Sequence, residues 1–322
     1  MRYRHFRNAD PPALADVWND ALVRRGAVEL RSPSPLDDAV FNKPYFDPAG
    51  LIVAEDDGRI VGFAHGGFGP TEDQSALDRT VGVVAAVVVR PEARRRKMGT
   101  ELLRRCEDYL QASGARSLLA GGQRPIKPFY TGVYGGSNAP GFLLSDAEAD
   151  PFFRANGYSA QARTFVFDRR IDAPLTIVDP RFTPLRRKYE PLAVPQARLG
   201  TWWRECVLGP LEPSEFRLDD RQTGQTAAKA LFWEMKDFGW RWGAPAAGIV
   251  DVQVRDTLRR QGLGKFLVAQ LLRHLQEQYF AIAEVQVLEA DETASQMFRS
   301  LGFVQVDIGV TYAKPASTPA AE

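Results

Sequence analysis

The stretch Arg259-Arg260-Gln261-Gly262-Leu263-Gly264 follows an apolar run, Gly248 to Val254, and opens a second run, Gly264 to Glu277. In that second run Leu267, Val268, Leu271, Leu272 and Leu275 recur at helical spacing. A strand therefore feeds a helix through a turn whose glycines admit close backbone approach and whose amides lack helical acceptors. Such a turn either seats an anion, with arginine adding charge-assisted contacts, or simply makes a tight connection. It is not a dinucleotide fingerprint, which needs a third glycine, nor a Walker loop, which ends in Gly-Lys-Ser or Gly-Lys-Thr.

The same pattern occurs upstream. Arg95, Gly99, Leu102, Leu103, Cys106 and Leu110 precede Arg260, Gly264, Leu267, Val268, Leu271 and Leu275 by a single offset of 165 positions. Further along, Asp146, Ala149, Phe153, Gly157 and Tyr158 precede Asp291, Ala294, Phe298, Gly302 and Phe303 by 145 positions, so the first half carries twenty extra residues between the blocks. Two blocks repeated in one order predict two copies of one fold. The 322-residue length suits about two domains. We place the break near Arg170 to Pro174, giving domains 1–171 and 172–322.

Around these blocks the first half predicts a helix from Pro11 to Arg25 capped by Asp10, strands at Leu51–Glu55 and Ile60–Gly67 joined through Asp57-Gly58, and a Val-rich strand at Val81–Val89. A helix follows at Gly99–Ser113, then a strand at Ser117–Ala120, a helix within Asp146–Asn156 and a strand at Ala160–Asp168. The Gly- and aromatic-rich segment Gly121–Ser145 is either a functional loop or an elaborated turn. In the second half, Ile171–Arg198 reads as irregular. A helix around Trp202, Trp203 and Cys206, strands at Phe216–Asp219, Lys229–Glu234 and Gly248–Val254, and a closing strand at Val304–Ala313 follow, with Pro315–Glu322 a loose tail.

Composition is that of a globular chain: 44% apolar, 25% charged and 11% aromatic. Lys plus Arg number 41 against 40 Asp plus Glu, which argues against a broad nucleic-acid or acidic-membrane surface. Cys106 and Cys206, both in predicted helices, suit a reducing compartment. No apolar run reaches the roughly 20 residues a membrane span needs, and Met1–Asp10 has no apolar leader core, so a soluble cytoplasmic protein is expected. His5, His65 and His274 are dispersed, and no metal site is expected.

The chain resembles the GNAT superfamily of acyl-CoA-dependent N-acetyltransferases. The pyrophosphate loop of that family reads Arg or Gln, two variable residues, Gly, one variable residue, then Gly or Ala, as Arg259 to Gly264 does. Arg94-Arg95-Arg96-Lys97-Met98-Gly99 keeps the arginine and the final glycine. Lys97 stands at the middle glycine's position, where a side chain either blocks amide approach or brings an ammonium to phosphate. The second block resembles the family's Asn-x-x-Ala, Tyr and Gly-Phe pattern, with Asp146 and Asp291 in place of Asn and Phe153 and Phe298 in place of Tyr. The tandem layout is similar to that of the mycothiol synthases.

The resemblance implies an α/β (α+β) fold of two tandem acyl-CoA N-acyltransferase-like domains with mixed central sheets. It also implies acetyl transfer from acetyl-CoA, as cosubstrate and without a metal, to a small-molecule or peptide amine. The donor contacts it implies are Val252, Val254, Arg259, Arg260, Gln261, Gly262, Leu263, Gly264 and Lys265, and in the first half Val87, Val89, Arg95, Arg96, Gly99 and Thr100. The full loop match makes the second half the better CoA binder and the first an altered partner, with activity of one or both halves left open. Glu234 and Asp251 are the second half's candidate general bases if they face the cleft, and otherwise solvated or salt-bridged sheet carboxylates; His65 and Glu55, the first half's counterparts, are read as surface polar groups. Phenylalanine has no proton for a leaving thiolate, so the alternative is a CoA-binding sensor or scaffold without catalysis.

Overall fold

The computed structural model describes residues 1–315; Pro315 closes the last strand, and the rest of the expected tail lies outside the described residues. The first half contains β1 (Arg2–His5), α1 (Pro11–Ala21), α2 (Ser34–Leu36), β2 (Leu51–Asp56), β3 (Arg59–Pro70), β4 (Leu77–Val89), α3 (Met98–Ala112), β5 (Ser117–Ala120), β6 (Phe142–Leu143), α4 (Ala149–Ala155) and β7 (Ser159–Arg170). The second contains α5 (Phe182–Lys188), β8 (Tyr189–Val194), α6 (Trp202–Leu208), β9 (Ser214–Asp220), β10 (Thr226–Glu234), α7 (Lys236–Trp242), β11 (Ala246–Val254), α8 (Leu263–Glu277), β12 (Ile282–Leu288), α9 (Glu292–Ser300) and β13 (Val304–Pro315). Helices α3 and α8 begin and end 165 positions apart, and α4 and α9 both end just before the left-handed glycines Gly157 and Gly302.

The two mixed sheets are joined into one, in the order β1-β2-β3-β4-β5-β13-β7-β12-β11-β10-β9-β8. The junction is an exchange. β13, the final strand of the second half, pairs with β5 of the first, while β7, the final strand of the first half, pairs with β12 of the second. β13 and β7 then pair with each other over most of their length. In each half two parallel strands separate at matching positions: β4 and β5 pair only from Val81 to Val84, and β11 and β12 only from Ala246 to Ile249.

The helix stripes bury as their spacing requires. Leu102, Leu103, Cys106 and Leu110 of α3 pack against the first half of the sheet, and Leu267, Val268, Leu271, Leu272 and Leu275 of α8 against the second. Each buried leucine is worth about 2 kcal/mol. Asp57 and Gly58 both take positive φ, the conformation a two-residue hairpin favours.

Three expectations change. Asp10 does not cap α1; its carboxylate instead takes the Arg4 guanidinium at 2.7 and 2.9 Å and the Arg7 amide at 2.7 Å. Ile171–Arg198 is not wholly irregular, because α5 and β8 form within it. His65 is not a surface group: it is 0% exposed, stacked on Phe129 at 4.1 Å and bonded through Nδ1 to the Tyr130 hydroxyl at 3.1 Å. Burial lowers its imidazole to about 3, so it stays neutral. Glu55 is half-buried and paired with Arg4 at 2.6 Å.

Because β5 lacks its outer partner without β13, a chain ending at residue 171 is expected to leave an open sheet edge and a partly exposed core. Expressed alone, residues 1–171 should aggregate or bind a hydrophobic dye and melt without a cooperative transition. A sharp melt of monomeric 1–171 would refute this.

Candidate functional site

The two strand-to-helix loops share one backbone. Arg95 and Arg260 take φ of 63° and 62°, and Lys97 and Gly262 both sit left-handed just before their helices, at φ 60° and 82°. No side chain caps either helix, and the first capped-off amides are those of Glu101 and Phe266, each donating at 3.0 Å to Lys97 and Gly262 carbonyls. Lys97 holds a conformation that costs a non-glycine residue about 1–2 kcal/mol. The substitution therefore preserves the loop's shape and adds a cation.

Around the first loop lies a cleft of about 350 Å³. The parting of β4 from β5 opens it, and Val87 and Val89 form one wall. Arg95, Lys97, Gly99 and Thr100 line its loop end, and Phe142, Phe152 and Phe153 its other wall. Arg96 lies exposed outside this lining. Arg94 braces the turn by donating to the Val89 carbonyl at 3.0 Å and the Ala21 carbonyl at 3.2 Å. Apolar walls ending in a cluster of cations and uncapped amides suit an acyl thioester arm with phosphate at one end.

Arg181 and Asp179 lie beside the second loop. A Cβ on Gly262 would stand 3.4 Å from Arg181 Nε, and Lys265 pairs with Asp179 at 3.3 Å. Asp179 also accepts from the Arg181 guanidinium at 2.7 Å, and these bonds hold its carboxyl well below the usual range. Arg259 pairs with Asp256 at 2.6 Å, Arg260 and Gln261 lie exposed, and Leu263 is buried. Val252 and Val254 are half-buried against the second core, and Gly264 sits 3.4 Å from Val254 and 3.5 Å from Met297 by its notional Cβ.

The Gly121–Ser145 segment of the first half docks on β10 and β12 of the second. The Ser137 amide donates to Glu284 at 2.5 Å, Gln286 donates to the Gly135 carbonyl at 2.6 Å, and Trp233 donates to the Ser137 carbonyl at 3.0 Å. Arg124 of this segment pairs with Asp251. Phe129, Tyr130 and Tyr134 of the same segment pack on His65 and Trp18.

Glu234 and Asp251 are not brought together. Glu234 is exposed at the end of β10, opposite Ala247, in a separate cleft of about 450 Å³ with Lys236 and Asp237. Asp251 sits in a bulge of β11 at φ 54°, gripped by Arg124 and Arg204. Burial pushes its carboxyl up, but the two guanidiniums outweigh that and hold it below the usual carboxylate value, which makes it a poor base. Sequence reasoning missed Asp179 and Arg181, which lie in a stretch without periodicity. It used Asp146 only as a repeat marker, although that residue lines the first cleft.

Residues 14–131 match the Acetyltransferase (GNAT) family, and residues 234–310 match the FR47-like protein family. No curated protein matches the chain. Among solved structures it is similar to a GCN5-related N-acetyltransferase from Sphaerobacter thermophilus, with 16% identity, 97% of this chain and 95% of that one covered, and a TM-score of 0.64. It is also similar to a tandem GNAT protein from the clavulanic acid biosynthesis pathway, at 15% identity, 98% and 99% coverage and a TM-score of 0.64. A third likeness is to the glucosamine N-acetyltransferase region of a fungal multi-domain GH3 β-N-acetylglucosaminidase, at 15% identity and a TM-score of 0.70, over 97% of this chain and 38% of that one. At these identities the likeness is one of fold.

Replacing Asp251 with alanine leaves Arg124 and Arg204 facing each other, and is expected to cost about 2–3 kcal/mol at pH 7. The depressed folded-state value sets the sign. The ion pairs stabilise above the ordinary carboxylate value of about 4, and the gap between wild type and variant closes as pH falls through the lower folded value. Urea titrations at pH 7 and pH 3 measure both; an unchanged midpoint at pH 7 would remove Asp251 from the structural account.

Proposed function

We propose that this chain, whose architecture is that of a tandem two-domain GNAT-superfamily acetyltransferase, moves acetyl from acetyl-CoA to an amine, and that the donor lies in its first half. One contrast carries the choice of half. The loop at Arg94–Gly99 opens into a cleft, whereas the loop at Arg259–Gly264 lies beside Arg181 and close to the Asp179 carboxylate. The buried Asp179 carboxylate, held on Lys265, competes with phosphate for that cationic end, whereas the Glu148 carboxylate on Arg95 at the first loop is exposed and can turn away. Glycine at the middle loop position favours the second half by motif, yet Lys97 keeps the needed left-handed backbone and contributes charge.

On this reading the pantetheine arm runs along Val87 to Val89, and the phosphates meet the amides and cations between Arg95 and Thr100. The second half serves as a scaffold. It supplies β13 to the first sheet and receives the Gly121–Ser145 segment in return. The likeness to mycothiol synthases rests on domain order alone, and the acceptor class remains an amine of a small molecule or peptide.

Gly99→Glu and Gly264→Glu test the assignment. A carboxylate at either helix N-terminus suits folding but opposes phosphate. Like-charge placement costs several kcal/mol, so titration calorimetry with acetyl-CoA should show at least about 100-fold weaker binding for Gly99→Glu and little change for Gly264→Glu. The reverse ranking would move the donor to the second half.

A further inference from the structure

The cleft at the first loop has a second lobe. A space of about 250 Å³ adjoins it, bounded by Val23, Gly26, Tyr134 and Leu143. Five residues line both lobes: Ala21, Leu22, Arg94, Asp146 and Glu148. Two of them carry carboxylates. Glu148 is exposed and turned onto Arg95 at 3.0 Å. Arg94 is committed to two backbone carbonyls. Asp146 forms no ion pair among the described residues.

Its twin is held differently. Asp291 caps α9, accepting from the Ala294 amide at 2.9 Å, and that helix starts at the next residue. At the matching place in the first half α4 starts only at Ala149, with Pro151 in its first turn, and the Ala149 amide is taken by the Asp146 backbone carbonyl at 3.0 Å instead. The Asp146 side chain meets the Glu148 amide instead and lines the cleft.

The geometry points to Asp146 as the catalytic proton relay, placed between a donor lobe and an acceptor lobe that takes a small primary amine or a peptide amino end. This rests on the first-half donor reading. The neutral amine attacks the thioester carbonyl carbon, so that the C–N bond forms and the C–S bond breaks. The Asp146 carboxylate accepts the proton that the nitrogen loses and passes it to the departing CoA sulfur, which leaves as the free thiol. No other reactant is needed, and the relay supplies the proton that Phe153, on the same wall, lacks. Burial raises the Asp146 carboxyl above its ordinary value, the direction a proton relay needs, although the Glu148 amide, Arg94 and Arg24 pull it down. The other titratable groups facing it are Glu148, Tyr134 and Tyr312.

The test compares the full chain with Asp146→Asn and Asp146→Glu. Calorimetry follows acetyl-CoA binding, and thiol release from acetyl-CoA is followed from pH 5 to 9 with glucosamine, lysine and spermidine offered together. Asp146→Asn is expected to bind acetyl-CoA within a few-fold of wild type, release thiol about 100-fold or more slowly, and lose the acid limb of the pH profile. Asp146→Glu is expected to recover part of the rate with a shifted limb. Wild-type release by Asp146→Asn, or a wild type that binds acetyl-CoA and releases no thiol to these amines, overturns the assignment while leaving the donor reading intact. Absence of acetyl-CoA binding by wild type overturns both.

Discussion

The antiparallel pairing of β13 with β7, from Val304 opposite Asp168 to Ala313 opposite Ser159, is the contact on which both halves depend. Each strand ends its own half in sequence yet completes the other half's sheet. Remove the pair and two parallel strands, β5 and β12, lose their outer neighbours together. The effect reaches the cleft. Tyr312 of β13 stacks on Phe153 at 5.3 Å and bonds to Asp150 at 3.0 Å, so the second half backs a wall of the first half's site.

The two halves repeat one backbone and differ in what surrounds it. The loops and helices remain superposable in backbone, down to the left-handed residues at 95 and 260 and at 97 and 262. What differs is what lies beside them. In the second half the Asp179–Arg181 turn lies beside the loop, and Gly135–Ser137 packs on β12 at Glu284 and Gln286. Trp233 and Trp242 donate across the same boundary, to Ser137 and Arg25. Polar contacts of this kind fix one geometry because a buried group left unpaired costs more than the bond returns.

Local features were legible in the sequence. The 165-residue offset predicted matching helices at Met98–Ala112 and Leu263–Glu277, because apolar spacing and loop glycines act within a few residues. The exchange of β7 and β13 was not legible, since either pairing buries the same alternating side chains. His65 was misread because one histidine between apolar residues carries no sign of the Phe129 ring that covers it. For Asp251 the sequence left base and salt-bridged carboxylate open, because its two arginines, Arg124 and Arg204, lie far away in the chain. The loop motif matched best in the second half, yet residues outside any motif decide which loop is open.

The strand exchange also bears on synthesis. β13 leaves the ribosome after every other described element, so α3, its loop and the valine wall of β4 are made long before the strand that completes their sheet. Until then the nascent first half holds its cleft residues without Tyr312 behind Phe153. Completion of the cleft wall is thus tied to translation reaching the far end of β13, and a prematurely stopped chain retains the loop without its Tyr312 backing.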